Sequence, residues 1–99
     1  MDLVLYNGVM QYVAIATFPR DNKITQEVLT RRRRYTYPAT FKNARSFLDV
    51  QGGRAVIYFE TDTAESIHQY TMDWPELVFE IFPVVPAEKG WEAYLNSKH

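Results

Sequence analysis

A pair of adjacent glycines, Gly52-Gly53, constrains the fold of this chain more than any other feature, because it separates two segments typical of β-strands. Glycine adopts the positive φ angles of a tight hairpin turn without steric cost. The segments on either side, residues 40–50 and 54–61, carry β-branched and aromatic residues in strand-like order. The pattern predicts an antiparallel hairpin near the middle of the chain.

A strand and a helix are predicted before this hairpin. Residues 10–18 read as a strand in which both alternating sets of side chains are largely apolar. A helix follows, because Asp21 or Asn22 can cap its first turn, and it ends by about residue 35. Its predicted apolar stripe consists of Ile24, Val28 and the alkyl stem of Arg31 or Arg32.

A second helix and a fourth strand are predicted after the hairpin. Asp62, with Glu65 three residues later, has the pattern of a capping box at a helix start. Pro75 ends that helix, residues 77–85 form the strand, and Pro86 opens a short C-terminal helix. The predicted buried stripe of the second helix consists of Ala64, Ile67, Thr71 and Trp74.

The order strand-helix-strand-strand-helix-strand is the split β-α-β pattern of an α+β, ferredoxin-like domain. Right-handed crossovers place both helices on one face of a four-stranded antiparallel sheet. A chain of 99 residues has room for a single hydrophobic core, so one domain is expected over residues 10–99. Residues 1–9 are expected to form an N-terminal extension or an extra strand.

The sheet face without helices is expected to be apolar. A large apolar surface is unfavourable in water, so another protein surface or a ligand is expected to cover it. The same face of a second copy supplies a matching surface, which predicts a homodimer, and closure over a small apolar ligand is the alternative. A small apolar pocket between sheet and helices is also expected. The residues assigned to the open face are Tyr12, Ala14, Ala16, Phe18, Tyr58 and Phe82.

Several short segments resemble a small microbial domain family of unknown function. They are Ser46-Phe47-Leu48-Asp49, Gly52-Gly53-Arg54, Glu60-Thr61-Asp62 and the run from Trp74 to Val84. That family is similar to the dimeric α/β-barrel superfamily, in which two ferredoxin-like subunits face their sheets to form a barrel. The resemblance covers about residues 10–85 and implies a homodimer. Members of the superfamily include cofactor-independent monooxygenases, isomerases, cyclases and heme-degrading enzymes.

The resemblance does not extend to the catalytic pattern of the superfamily. Many active members carry a histidine near the start of the first strand or at the end of the second helix. Here Tyr12 and Trp74 occupy those places. The two histidines lie elsewhere, His68 inside the second helix and His99 at the terminus, so no heme or other cofactor is expected.

Glu80 and His68 are the candidate catalytic residues. Glu80 lies in mid-strand among apolar residues, where desolvation would raise the pKa of its carboxyl and make it a base. The alternative is an ion pair of Glu80 with an arginine such as Arg45 or Arg54, across the sheet or across the dimer interface. His68 can transfer protons near neutral pH, and the alternative is an exposed helix residue without a chemical role.

The candidate ligand-binding residues are Tyr12, Tyr58, Arg45 and Glu80. A tyrosine hydroxyl can donate a hydrogen bond to a bound carbonyl or enolate. The alternative for both tyrosines is ordinary packing within the sheet.

The run Arg31-Arg32-Arg33-Arg34 is the one conspicuous charge cluster, and Tyr35 and Tyr37 follow it. Arginines and tyrosines together can bind phosphates and stack on bases. Four consecutive helical residues point around the whole circumference, however, so they do not form one patch. The net charge of −1 also does not attract a negatively charged nucleic acid. Nucleic-acid binding is therefore the third functional hypothesis.

The counts of cysteine and histidine and the length of the apolar runs exclude further classes of function. The chain has no cysteine and two histidines, so no metal site is expected, and a cytoplasmic location is predicted. No apolar run approaches the roughly 20 residues of a membrane span. The leading interpretation is a small-molecule-binding or structural domain. The alternative is a cofactor-independent enzyme acting on a hydrophobic carbonyl or phenolic compound.

Overall fold

The computed structural model describes residues 10–97. Four strands form one antiparallel sheet in the order β2-β3-β1-β4, which is the order of the split β-α-β pattern. The α+β fold expected from the sequence is thereby confirmed, whereas the predicted extension over residues 1–9 lies outside the described part of the chain. The elements are β1 (Met10–Thr17), α1 (Asn22–Arg32), β2 (Lys42–Leu48), β3 (Arg54–Thr61), α2 (Ala64–Met72), β4 (Val78–Val84) and α3 (Ala87–Ser97).

The hairpin between β2 and β3 forms at the predicted glycines. Gly52 and Gly53 have φ angles of 79° and 85°, which residues with a side chain rarely adopt. The Asp49 carboxylate accepts hydrogen bonds from the Gln51 backbone N–H (3.0 Å) and from Nε of Arg54 (3.2 Å). The Gln51 bond, together with the Arg54 bond, holds the pKa of the Asp49 carboxyl below its ordinary value. The turn is thus fixed by backbone freedom and by one carboxylate.

Helix α1 begins where the sequence predicts it. The Asp21 carboxylate accepts hydrogen bonds from the backbone N–H groups of Lys23 (2.9 Å) and Ile24 (3.1 Å), which satisfies two donors of the first turn. The helix ends at Arg32, earlier than predicted. The N–H groups that follow bond only three residues back, for example Tyr35 N–H to the Arg32 carbonyl (3.2 Å), so the chain leaves the helix through a tighter turn.

Helix α2 is capped by Thr63, so the predicted capping box of Asp62 with Glu65 is wrong by one residue. The Thr63 backbone is extended, and its hydroxyl accepts a hydrogen bond from the Ser66 N–H (3.1 Å). The Ser66 hydroxyl also contacts the hydroxyls of Thr63 and Thr40. Both threonine and aspartate can accept a hydrogen bond from a backbone N–H in the first turn of a helix. The hydrophobic pattern therefore does not show which of two adjacent residues, Asp62 or Thr63, is the cap.

Replacing Thr63 by alanine is expected to lower the free energy of unfolding by about 0.5–2 kcal/mol, because the Ser66 N–H loses its acceptor. Urea denaturation followed by circular dichroism measures this difference. Thr63→Ser keeps the hydroxyl and is the matched control, which should stay close to the wild-type protein. Equal stability of the alanine and serine variants would show that Thr63 does not cap α2.

The hydrophobic core lies between the helices and one face of the sheet. On β1, Ala14 (0% exposed) and Ala16 (1%) face this core, and Tyr12 stacks on Phe59 with a centroid distance of 5.5 Å. Phe18 packs against the same cluster. The buried members of the core are Ala14, Ala16, Val28, Phe41, Ile57, Phe59, Tyr70 and Trp74.

The assignment of Tyr12, Ala14, Ala16 and Phe18 to the open face is therefore wrong. Both alternating sets on β1 are apolar, so hydrophobicity alone does not decide which one faces the helices. The small Ala14 and Ala16 lie on the helix-covered face, and the larger Val13 and Ile15 occupy the open face instead. Tyr58 and Phe82, which pair with Val13 from β3 and β4, lie on the open face as predicted.

The buried side of α2 also differs from the prediction. Ser66, Tyr70 and Trp74, spaced four residues apart, are buried. Of the predicted stripe, Trp74 is buried, Ile67 and Thr71 are half-buried, and Ala64 is exposed. Ser66 is buried because its hydroxyl is hydrogen-bonded, a possibility that the apolar pattern does not reveal.

Helix α3 follows Pro86, as the sequence predicts, and buries none of its side chains among the described residues. None of the described helices has both the length and the apolar character needed to span a membrane.

Candidate functional site

A cavity of about 320 Å³ lies between the helix-covered face of the sheet and helices α1 and α2. Its volume falls at the lower end of the range of ligand pockets, about 300–1,000 Å³. Small side chains on the two central strands, Ala16 and Ala55, leave this space open. The cavity agrees with the small apolar pocket expected from the sequence. Its lining residues are Ala16, Phe18, Val28, Leu29, Arg32, Ser46, Phe47, Leu48, Ala55, Ile57, Tyr70, Trp74 and Leu77.

Arg32, the last residue of α1, places a cation in the wall of this cavity. Its Nη2 donates hydrogen bonds to the hydroxyl of Tyr37 (2.9 Å) and to Oγ of Ser46 on β2 (3.3 Å). Its guanidinium carbon lies 5.0 Å from the centroid of the Tyr37 ring. Because Arg32 is half-buried and Ser46 is exposed, these two side chains mark the mouth of the cavity.

Trp74 forms another part of the wall and is 3% exposed. The guanidinium of Arg31 lies 4.7 Å from the centroid of its ring, and it also makes a two-point ion pair with Glu76. The Glu76 hydrogen bond raises the pKa of Arg31, and the same bond lowers the pKa of the Glu76 carboxyl. Among residues 10–97 the Trp74 Nε1–H has no hydrogen-bond acceptor of good geometry, although the Tyr35 hydroxyl approaches it.

Two tyrosines near the cavity stay protonated at physiological pH. Burial raises the pKa of Tyr70, a lining residue, well above its ordinary value. Burial, together with a hydrogen bond to Asp73 (2.8 Å), raises the pKa of Tyr35 in the same way. Both phenols are therefore neutral and do not compensate the charge of Arg32.

The predicted ligand residues Arg45 and Tyr58 lie side by side on the open face. The guanidinium carbon of Arg45 is 5.7 Å from the centroid of the Tyr58 ring. The Tyr58 hydroxyl donates to Oε2 of Glu60 (2.7 Å) and accepts from Nε2 of Gln11 (2.8 Å). Burial, followed by the Glu60 hydrogen bond, raises the pKa of Tyr58. The Tyr58 hydroxyl thus already donates a hydrogen bond to a carboxylate.

Sequence reasoning missed the partners of Tyr58, Gln11 and Glu60. The signal was available in part, because Glu60 follows Tyr58 by two residues on β3 and therefore shares its face. Gln11 pairs with Glu60 across the strands, a register that the sequence does not specify.

Glu80 is exposed on the open face, where its neighbour on β1 is Ile15. Within residues 10–97 it makes no ion pair, so the pairing with Arg45 or Arg54 does not form across the sheet of one chain, whereas a pairing across a dimer interface stays a prediction. Arg54 pairs instead with Asp49, at 3.2 Å. The unpaired state of Glu80 follows from the strand order, because two strands separate β4 from β2.

The predicted site residues do not come together at one place. Tyr12 lies on the helix-covered face, whereas Tyr58, Arg45 and Glu80 lie on the open face. His68 is exposed on α2. None of these five residues lines the cavity.

The four arginines do not form one patch, as predicted from helical geometry. Arg31 turns toward Trp74 and Glu76, Arg32 turns toward β2, and Arg33 and Arg34 are exposed. The described part of the chain also contains no cluster of three or more His, Asp or Glu side chains that could hold a metal ion.

No curated protein and no solved structure is significantly similar to this chain. A family model described as a domain of unknown function (DUF3303) matches residues 10–97, which include every element of the described fold. The match supports the expected family of unknown function. The chain therefore belongs to the DUF3303 family of domains of unknown function.

Proposed function

We propose that this domain binds a small, largely apolar molecule in the cavity between the sheet and helices α1 and α2. The observation that carries the proposal is the cavity itself, about 320 Å³ in volume and lined mainly by aliphatic and aromatic side chains. Ligand sites are concave and mostly apolar, with a few polar groups that orient the ligand. Arg32 and Ser46 are placed at the mouth to serve that purpose.

The apolar wall of the space strengthens this proposal. Leu29 and Leu48 belong to this wall and are exposed, so the space opens to solvent and leaves apolar surface in contact with water. A ligand would cover that surface and would stabilise the folded state.

Filling the cavity with a larger side chain is expected to abolish ligand binding. A compound that binds the cavity, present at about a hundred times its dissociation constant, stabilises the fold by about 2.7 kcal/mol. In a domain of this size that raises the melting temperature by about 10–20 °C. Ala55→Phe should remove this shift, because Ala55 lines the cavity.

A panel of small aromatic and aliphatic compounds, screened by thermal shift, measures the effect. Ala87→Phe, which adds the same side chain at an exposed position of α3, is the matched control and should keep the full shift. The cavity would be excluded as the binding site if Ala55→Phe responded as the wild-type protein does. A panel without any stabilising compound would contradict ligand binding itself.

We further propose that a second copy of the chain covers the open face of the sheet. Val13 and Ile15 on β1 form the apolar centre of this face. Val13 lies between Tyr58 on β3 and Phe82 on β4, and Ile15 lies between Val56 on β3 and Glu80 on β4. Phe47 on β2 pairs with Val56, which places its side chain on this open face, and it is exposed within the single chain. A twofold dimer would bury this surface against itself.

Charges at the two edges of the face support a face-to-face dimer. Arg45 on β2 and Glu80 on β4 have no ion-pair partner within the described residues. With a twofold axis along the strands, the β2 edge of one copy meets the β4 edge of the other. Arg45 would then approach Glu80 of the partner subunit, once at each end of the interface.

The dimer is also the arrangement of the dimeric α/β-barrel superfamily. We propose that the domain is similar to that superfamily, and the sheet order with helices on one face supports this proposal. Enzyme activity through Glu80 or His68 stays a prediction, because neither residue lines the cavity. Nucleic-acid association and a cytoplasmic location likewise stay predictions.

A further inference from the structure

We propose that the ligand of this cavity is a small apolar carboxylic acid, and that the guanidinium of Arg32 binds its carboxylate at the mouth. The inference rests on the proposed function, because it names the chemical class of the molecule that the cavity would take. It also gives Arg32 a role, the binding of a carboxylate, that an apolar lining alone does not provide.

The hydrogen bonds of Arg32 leave much of its guanidinium available. Nη2 donates to Tyr37 and Ser46, but Nη1 and Nε have no acceptor within residues 10–97. Arginine carries several N–H donors in a planar fork that matches a carboxylate. A bound carboxylate would accept from the donors that the protein itself does not use.

Arg32 also has no carboxylate partner within residues 10–97. Arg31 is paired with Glu76, and Arg54 is paired with Asp49. No aspartate or glutamate lines the cavity, and burial keeps the Tyr70 phenol neutral. A half-buried cation without an anion is unfavourable, and a ligand carboxylate would remove that cost.

The dipole of α1 offers an alternative reason for an arginine at this place. A helix C-terminus favours cations in its last turn, and Arg31 and Arg32 are the basic residues of that turn. The dipole does not explain why Arg32 reaches across the cavity mouth to Ser46 on β2. A site for an anion explains both the charge and the direction of the side chain.

Two probes of matched length, phenylbutyrate and phenylbutanol, separate the charge from the apolar contact. Isothermal titration calorimetry of the full chain should give an affinity for the acid about ten- to a hundredfold higher than for the alcohol, the usual range for a hydrogen bond to a charged group. Arg32→Gln should remove this preference, so that the acid and the alcohol bind with similar affinities. Arg32→Lys keeps the charge without the fork and should retain part of the preference.

Arg34→Gln is the matched control, because it removes a neighbouring cation that does not line the cavity, and it should keep the full preference. Equal affinities of the wild-type protein for acid and alcohol would overturn the carboxylate inference and leave the proposed function intact. So would a preference that persists in Arg32→Gln. Absence of binding by both probes would overturn the carboxylate inference, and the compound panel described above then decides on the proposed function separately.

Discussion

Replacing Phe59 by alanine is expected to lower the free energy of unfolding by about 3–5 kcal/mol, the largest effect of any single substitution considered for this fold. Phe59 is 0% exposed and lies on the central strand β3. Its ring stacks on Phe41 at a centroid distance of 4.1 Å and on Tyr12 at 5.5 Å. Alanine would remove both contacts and leave a void that the surrounding rings cannot fill.

Thermal and urea denaturation followed by circular dichroism measure this loss. In a domain of this size 1 kcal/mol corresponds to about 4–8 °C, so the melting temperature should fall by about 12 °C or more. Val50→Ala, at a fully exposed position, is the control and should change stability by less than about 0.5 kcal/mol. A loss below about 1 kcal/mol in Phe59→Ala would show that the aromatic stack is not the centre of the core.

Introducing a charge at Val13 is expected to convert the proposed dimer into a monomer. Val13 lies in the middle of the open face, between Tyr58 on β3 and Phe82 on β4. In a twofold dimer Val13→Lys would place two like charges in an apolar interface, which costs several kcal/mol. The dimer should weaken at least about a hundredfold, while the fold persists because the side chain points away from the core.

Sedimentation velocity over a range of protein concentrations measures the dimer, and circular dichroism reports the fold. Thr17→Lys is the matched control, because Thr17 is an exposed residue at the end of the same strand and on the same face. It should remain dimeric. A wild-type protein that is monomeric at every concentration would contradict the dimer, as would a Val13→Lys variant that still dimerises.

Local signals in the sequence predicted most of the fold. Gly52-Gly53 fixes the hairpin and Asp21 caps α1, because turns and caps depend on a few neighbouring residues. The order of elements then implies the sheet order through the rules of connection. No long-range information is needed for any of these steps.

The sequence does not show which side chains of β1 face the helices, because the two alternating sets of side chains on this strand are both apolar. Only packing shows that Ala14 and Ala16 lie beneath the helices and that Val13 and Ile15 do not. The cap of α2 shifted from Asp62 to Thr63 for a similar reason, since two adjacent side chains can make the same bond. Tertiary contacts decide between such local alternatives.

The cavity was expected as a feature, but its lining was not. Side chains from five elements meet in the cavity, and the sequence does not specify the distances between side chains of different elements. Arg32 was one of two arginines expected to extend the stripe of α1, and the structure assigns it to the cavity and Arg31 to Trp74. Candidates chosen by chemistry alone, such as Tyr12 and Glu80, lie on opposite faces of the sheet.

Backbone amide chemical shifts, recorded during a titration with phenylbutyrate, test ligand binding in the cavity most directly. The predicted result is a saturable change at Val28, Ile57 and Trp74, which line the cavity, with no comparable change at Tyr58 or Glu80 on the open face. Changes confined to the open face, or no saturable change at any residue, would contradict the assignment of the cavity as the binding site.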